Sequence, residues 1–417
     1  MKYSARVVDS EVEQALSVSG AVLLEGPRGC GKTSTALQFA LSSVRLDTDQ
    51  TARELAQLLP HRVLEGATPR LIDEWQIEPE LWNHVRAAVD NRQAVGQFIL
   101  AGSARMADSP TRHVGAGRIH RITMRPMTLW ESGYSSGETS LASLLEGTPN
   151  LEGERDAAIE TVTSEICRGG LPAFQGREVT GVISALGSYL RDVERGDFSI
   201  PAGSKQNPAR IRKILRSLAR NIGSEISLSK LASEISHTES ETLKPETLET
   251  YLQTLRDLML IEDVPPWSPH LRSSYAVRKA AKRYFVDPAF AVAALGASPA
   301  TLLQDLSTLG FLFENLVMRD LQVFAQHLGG GVSHYRDSSG LEVDAIVSAP
   351  SGTWAGIEIK LNPRSVDQAA GNLLKFRARL DESHQQNLGA LAVITSGAFS
   401  YRRDDGVIVI SLAHLGP

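Results

Sequence analysis

Short apolar runs and amphipathic stretches alternate through the first third of the chain. Residues 21–25 read AVLLE, which suits a buried strand, and SSVRLDTD, PRLIDEWQ, QFILAGSA and RIHRITM supply four further strand candidates. Between them, residues 11–18, 33–41, 51–59 and 81–90 space their apolar side chains as a helix with one buried face does. Strands alternating with helices predict a doubly wound α/β domain, a parallel sheet with helices on both faces. Residues 132–154 are rich in Ser, Gly and Glu and are expected to be a surface excursion or linker. Helical spacing returns over 157–189, interrupted by RGGLP.

From Pro208 the periodicity is helical throughout PARIRKILRSLARNIG, SLSKLASEIS and KPETLETYLQTLRDLMLIEDV, with Ser227 and Ser229 as candidate N-caps of the middle element. A short helix, a turn, a longer helix and then RYFVDP as a strand give the outline of a winged helix. After Leu306 the order becomes helix (FLFENLVMRDLQVFAQHL), three strands (GVSHYRD, LEVDAIVS, TWAGIEIK), helix (VDQAAGNLLKFRARLD) and two strands (GALAVITSG, GVIVISL). These shifts divide the chain into an α/β domain at 1–135, a helical linker region at 136–204, a winged-helix-like domain at 205–300 and a second α/β domain at 301–417.

The boundary between the first strand and its helix carries the chemistry. GPRGCGKT fits G-x-x-x-x-G-K-[ST] with Gly26, Gly31, Lys32 and Thr33. A polyphosphate is wrapped by main-chain N–H groups, so the chain must approach it without side chains in the way, and glycines permit the dihedrals this requires. The helix that follows aims its positive end at the phosphates. The nucleotide-binding stretch is therefore Gly26, Pro27, Gly29, Cys30, Gly31, Lys32, Thr33 and Ser34, with Cys30 serving as a small residue. Lys32 is expected on the β and γ oxygens of ATP and Thr33 on Mg²⁺. In LIDEWQ, Asp73 ends an apolar strand and suits a magnesium site, and Glu74 suits a base for the attacking water. The plainer alternatives are a glycine-rich turn that binds nothing and an acidic strand end facing solvent.

With these residues the sequence resembles the AAA-type ATPases of the additional-strand class. FILAGSAR looks like their sensor strand, which puts Ser103 near the γ-phosphate. GAGR ends on Arg118, where such proteins often carry an arginine directed at a nucleotide, and Arg105 and Arg112 compete for that role. An arginine acting on a neighbouring subunit's nucleotide requires self-association. A small-molecule kinase is the rival within the phosphate-loop group, but it needs a lid of arginines that the sequence does not display.

A second constellation lies near the other end. If LEVDAIV and AGIEIK are adjacent antiparallel strands, Glu342 and Asp344 share a face, Glu358 and Lys360 share a face, and Val343, Ala345, Ile357 and Ile359 point into a core. Asp344 and Glu358 would then hold one Mg²⁺, with Lys360 near the water and Glu314 adding a fourth group from the preceding helix. Gln368 on the next helix is a weaker candidate. This order of elements with D…ExK resembles a restriction-endonuclease-like core, which implies nuclease chemistry or a retired nuclease module that still binds nucleic acid or a partner. The alternative is an ordinary sheet with a charged, solvated face.

Taken together, GPRGCGKTS, LIDEW, LAGSAR, RPMTLWESG, GGLP, KRYFVDPAFA, FLFENLV, HYRDSSGLEVDAIV and IEIK resemble prokaryotic AAA-type ATPases with a C-terminal domain of unknown function. Archaeal ATPases joining a phosphate-loop domain to a winged helix and a nuclease-like end are similar. The resemblance implies ATP binding and hydrolysis.

Bulk properties narrow this only slightly. The 417 residues suffice for roughly two to three domains, and 42% hydrophobic with 22% charged residues is ordinary for a globular protein. The net charge of -5 argues against a globally basic nucleic-acid binder. Lys205, Arg210, Arg212, Lys213, Arg216 and Arg220 cluster locally and suit either DNA phosphates or a solvated helix face, while KPETLETYLQTLRDL is acidic to neutral. No run approaches the roughly 18 apolar residues of a membrane span. An N-terminus without an apolar signal core, and only Cys30 and Cys167, point to the cytoplasm. The expected function is Mg²⁺-dependent ATP hydrolysis coupled to a C-terminal module that binds nucleic acid or a protein. An ATP-regulated DNA nuclease and a nucleotide-sensing, non-catalytic interaction protein are the alternatives.

Overall fold

A computed structural model of the chain describes residues 3–103, 115–155, 158–197, 207–236, 243–268 and 281–417. They form two compact units. The first comprises Met1–Pro126 with Leu171–Ala173 and Asp257–Met259; the second comprises Met127–Gly170, Phe174–Arg256 and Leu260–Pro417. Among the described residues no helix is long and apolar enough to cross a membrane.

In the first unit the elements run α1 (Asp9–Val18), β1 (Ala21–Glu25), α2 (Lys32–Phe39), β2 (Ser42–Arg45), α3 (Gln50–Leu58), α4 (Pro60–Val63), β3 (Arg70–Asp73), α5 (Leu81–Arg92), β4 (Phe98–Gly102) and β5 (Ile119–Thr123). All five strands are parallel in the order β2-β3-β4-β1-β5. Every residue of β1 and β4 is buried, as expected of central strands covered on both faces. The chain order places β4 between the strand that ends on the glycine loop and the strand that ends on Asp73, so three strand ends converge. Leu23, Ile72, Phe98 and Leu100 pack with Trp75 and Trp82, whose rings lie 5.3 Å apart.

The second unit begins with β6 (Thr139–Ser140) and α6 (Leu141–Leu145), then α7 (Ile159–Arg168) and α8 (Val179–Asp192). The linker expected at 132–154 is instead built in. Leu141, Leu144 and Leu145 of α6 are buried, and β6 pairs in parallel with β15 (Leu415–Gly416). The Ser, Gly and Glu content hid a short apolar stripe whose partners, the strands Trp354–Lys360 and Leu388–Thr395 and the helix Leu306–His327, lie far along the chain.

Helices α9 (Pro208–Arg220), α10 (Leu228–Ser236) and α11 (Pro245–Asp257) follow, then an antiparallel ribbon of β7 (Ile261–Val264) and β8 (Lys282–Phe285). After α12 (Pro288–Leu295), α13 (Pro299–Gln304) and the long α14 (Leu306–His327) comes a sheet of β9 (Gly331–Arg336), β10 (Glu342–Ser348), β11 (Trp354–Lys360), β12 (Leu388–Thr395), β13 (Tyr401–Arg402) and β14 (Ile408–Ser411). Its order is β13-β14-β12-β11-β10-β9. Pairs β9–β10 and β10–β11 are antiparallel, whereas β11–β12 and β12–β14 are parallel. Helix α15 (Val366–Ala378) connects β11 to β12 and packs on this sheet, as α14 does, and α16 (Glu382–Gln385) precedes β12.

Two buried polar contacts fix how α14 holds β8. Asn315 donates to the Phe285 carbonyl at 2.7 Å and accepts the Phe285 N–H at 3.2 Å, so one side chain satisfies both main-chain groups of a strand residue. Arg319, one turn further, donates to Asp287 at 3.2 Å and to Asp320 at 2.9 Å, and Asp287 also accepts the Gly170 and Ala289 N–H groups. This register is what brings Lys282 and Tyr284 of β8 against Glu314 of α14. Asn315→Ala leaves two buried main-chain groups unpaired and is expected to destabilise the protein by about 2–4 kcal/mol, read as a lower denaturant midpoint of the second unit.

Candidate functional site

The glycine loop is held from several sides. Gly29 and Gly31 take φ of 80° and 107°, conformations that L side chains resist, and Gly31 leads directly into α2 at Lys32. Gly26 is required for a different reason. A Cβ there would stand 2.2 Å from the Met124 carbonyl oxygen, which is main chain and cannot move aside. Cys30 is buried and its Sγ–H donates to that same carbonyl at 3.5 Å, in keeping with a small packed residue. Pro27 is buried, whereas Gly29 and Ser34 are exposed. No side chain caps the start of α2, which leaves its first N–H groups facing the loop mouth.

Lys32 is buried and its Nζ donates to the Gly26 and Pro27 carbonyls at 2.8 and 3.0 Å. Thr33 Oγ1 donates to both oxygens of Asp73, at 3.0 and 3.1 Å. Asp73 is almost wholly buried; burial pushes its carboxyl up, and the Thr33 hydroxyl draws it back. The half-exposed Arg45 guanidinium lies 3.6 Å from the same carboxylate.

Glu74 turns away from β3 in the left-handed region, at φ 53°. Ser103 Oγ, immediately past the end of β4, donates to it at 3.2 Å, and Gln76 Nε2 also donates to it. Sequence reasoning gave Ser103 and Glu74 separate duties, and the structure joins them by a hydrogen bond. It also explains Gly102: a Cβ there would meet Gln76 Oε1 at 2.6 Å and Trp75 Nε1 at 2.9 Å.

Arg118 is not part of this cluster. It precedes β5, and its carbonyl accepts the Ala21 N–H, so it sits where β1 begins rather than where the loop leaves β1. That is roughly 13 Å away along the strand at about 3.3 Å per residue. Its guanidinium pairs with Asp90 at 2.9 Å. The expectation of an arginine at the nucleotide therefore fails within one subunit, because a residue entering a parallel strand lies at the opposite sheet edge from a loop that leaves one. Arg105 and Arg112 lie outside the described residues.

Sequence reasoning missed Arg6 and Tyr3. Arg6 is buried and donates to the carbonyls of Cys30 and Arg125, both at 2.8 Å, strapping the loop to the segment after β5. Tyr3 donates to Asp9 at 2.6 Å and lies 3.1 Å from Thr35 Oγ1 on α2; burial, followed by Asp9, raises its phenol. No local pattern marks either residue. Leu171 and Pro172 of RGGLP lie 3.9 and 3.4 Å from where side chains on Gly29 and Gly31 would stand.

The second constellation is also assembled, but differently from the expectation. The β10–β11 register runs Ala345 opposite Ile357, which puts Asp344 opposite Glu358 on one face. Asp344 and Glu358 are buried on that face, and Lys360 is partly exposed beside them. Asp344 Oδ2 accepts the Ile359 N–H at 2.8 Å and Lys360 Nζ at 2.9 Å, and Lys360 also lies 2.6 Å from Glu358. Tyr284 donates to Glu314 at 2.6 Å. Lys282, unanticipated, stands 3.9 Å from Glu314 Oε1 and 4.0 Å from Asp344 Oδ1 with its side chain buried. Burial, then Asp344, pushes Glu314 up to about 7 and Glu358 up to about 8. Burial opposes ionisation of Asp344 too, but Lys360 and Lys282 leave it below the usual carboxylate value. Among the described residues no group of three or more His, Cys, Asp or Glu is arranged to hold a metal ion. The Mg²⁺ site expected from Asp344, Glu358 and Glu314 therefore does not match the geometry, because two ammonium groups already lie against those oxygens.

Two arginines of the basic helix are paired with glutamates. Arg212 bonds to Glu194 at 2.7 Å and Arg220 lies 3.3 Å from Glu234. Lys205 lies outside the described residues.

Gly26→Ala forces the loop away from Met124, and the overpacking is expected to cost about 1–3 kcal/mol, measured as a lower unfolding midpoint of the first unit.

The comparisons with known proteins divide along the chain. Residues 159–301 match a domain of unknown function (DUF8612) and residues 309–415 another (DUF4143). No curated protein matches. Among solved structures, the Walker-type ATPase paby2304 of Pyrococcus abyssi is 16% identical, with 69% of this chain and 94% of that chain covered at a TM-score of 0.41. A RuvB variant of Thermotoga maritima is 17% identical, with 62% and 89% covered and a TM-score of 0.27. McrB AAA+ hexamers of Thermococcus gammatolerans with bound McrC are 11% identical, with 70% and 74% covered and a TM-score of 0.21. Residues 18–132 match the family described as an AAA domain, so this part of the chain carries an AAA-type P-loop domain.

Proposed function

We propose that the chain is an Mg²⁺-dependent ATP hydrolase whose nucleotide state governs what its second unit binds. The observation that carries this reading is the contact of Thr33 Oγ1 with the buried Asp73 carboxylate, 3.0 and 3.1 Å, directly beside Lys32 and the glycine loop. Thr33 and Asp73 are the hard oxygen ligands a small divalent ion takes beside phosphate. Mg²⁺ bound there neutralises charge on the β- and γ-phosphates.

The chain's own groups do the rest. The main-chain N–H groups of residues 26–31 and the start of α2 receive the phosphates. Lys32 gives up the buried carbonyls of Gly26 and Pro27 for the β and γ oxygens, exchanging neutral acceptors for charged ones. Glu74 takes a proton from water as its oxygen bonds to the γ-phosphorus, while the bond from phosphorus to the β–γ bridging oxygen breaks and ADP leaves. Ser103 holds the Glu74 carboxylate before the γ-phosphate arrives and senses its presence. Arg118, exposed at the other sheet edge, serves a neighbouring subunit's nucleotide, which requires self-association. Residues 205–300 act as a winged-helix-like domain and residues 301–417 as a restriction-endonuclease-like core that binds nucleic acid or a protein partner. Support for this last reading is the mixed sheet with antiparallel β9–β10–β11 and parallel β11–β12.

Lys32→Ala is expected to abolish ATP binding and turnover in nucleotide titration and phosphate-release assays; full hydrolysis by this variant would overturn the assignment. Glu74→Gln is expected to lower turnover by about 10²–10⁴ while ATP still binds, and Ser103→Ala is expected to show a smaller loss of the same kind. Chelation of Mg²⁺ is expected to stop turnover reversibly. Turnover that stays negligible with Mg²⁺, DNA and candidate partners, despite tight ATP binding, would favour a nucleotide-sensing interaction protein.

A further inference from the structure

The polar centre of the second unit has the residues of a metal site and the charges of a closed one. Three carboxylates, Glu314, Asp344 and Glu358, come from α14, β10 and β11. Two ammonium groups stand among them. Lys360 spans Asp344 and Glu358 at 2.9 and 2.6 Å, and Lys282 faces Glu314 and Asp344 at 3.9 and 4.0 Å. The remaining donors are equally committed: the Ile359 N–H to Asp344 and the Tyr284 hydroxyl to Glu314.

We propose that Lys282 is the resident cation of this centre, occupying the place between Glu314 and Asp344 that a divalent ion would need, so that the second unit works without a metal there. Mg²⁺ demands oxygens at about 2.0–2.1 Å in octahedral array. Bringing those oxygens together around an ion would press a double positive charge against the buried Lys282 ammonium group and the partly exposed Lys360, in a largely buried site where charge interactions are stronger than in bulk solvent. The Lys282 side chain is buried, and its strand is tied to α14 through both main-chain groups of Phe285. Metal-dependent phosphodiester cleavage at this centre is what the two lysines oppose. This inference does not depend on the nucleotide site.

Mn²⁺ binding to the full chain without nucleotide, followed by electron paramagnetic resonance titration, tests it in wild type, Lys282→Met, Asp344→Asn and the double variant. The wild type and Asp344→Asn are expected to bind Mn²⁺ alike. Lys282→Met, which keeps the buried aliphatic stem, is expected to gain a site at least about tenfold tighter than any in wild type, and the added Asp344→Asn is expected to remove it. Wild-type binding that Asp344→Asn abolishes overturns the proposal, whether or not Lys282→Met folds. So does a folded Lys282→Met, checked by circular dichroism, that gains no site. A parallel melt gives a second reading: Mn²⁺ is expected to raise the midpoint of Lys282→Met and not that of wild type.

Discussion

A carboxylate that leaves water must find donors near at hand, and both polar centres of this protein are arranged around that demand. Asp73 meets it with the Thr33 hydroxyl and the half-exposed Arg45 guanidinium, at the mouth of a loop. Asp344 meets it with a main-chain N–H and two lysines inside a sheet covered on both faces. The same requirement thus gives an exchangeable contact in one unit and a closed network in the other.

The exchangeable contact depends on where strands end. In a parallel sheet all strands deliver their C-terminal ends to one edge, and the order β2-β3-β4-β1-β5 brings the ends of β1, β3 and β4 side by side. The glycine loop, Asp73 with Glu74, and Ser103 follow from that order. Glu74 departs from ordinary backbone geometry at φ 53°, and its carboxylate is aimed at Ser103 as a result. Strain at such a position is a common companion of function.

The closed network depends on helix α14. Asn315 and Arg319 face β8 and the turn after it, while Glu314 meets Lys282 and the Tyr284 hydroxyl. One helix therefore sets both the position of Lys282 and the group Lys282 faces. Charges of both signs are trapped together, and removing either sign would leave the other buried without compensation.

Much of the first unit was legible in the sequence because its signals are local. The apolar run of β1, the glycines that permit positive φ, and the lysine and threonine opening α2 all lie within thirteen residues. Each acts through its own backbone or its nearest neighbours. The antiparallel pairing of β10 with β11 was also legible, since alternation along two adjacent strands fixes which side chains share a face. What tertiary structure alone decided involves residues far apart in the chain. Arg6 meets Arg125, Lys282 enters a cluster centred on Asp344, the leucines of α6 are buried, and Arg118 stands at the sheet edge away from the loop. Local sequence cannot state which face of a sheet is covered or which end of a strand a residue approaches. Those are properties of the packed chain, and they turned an expected metal site into a lysine-filled one.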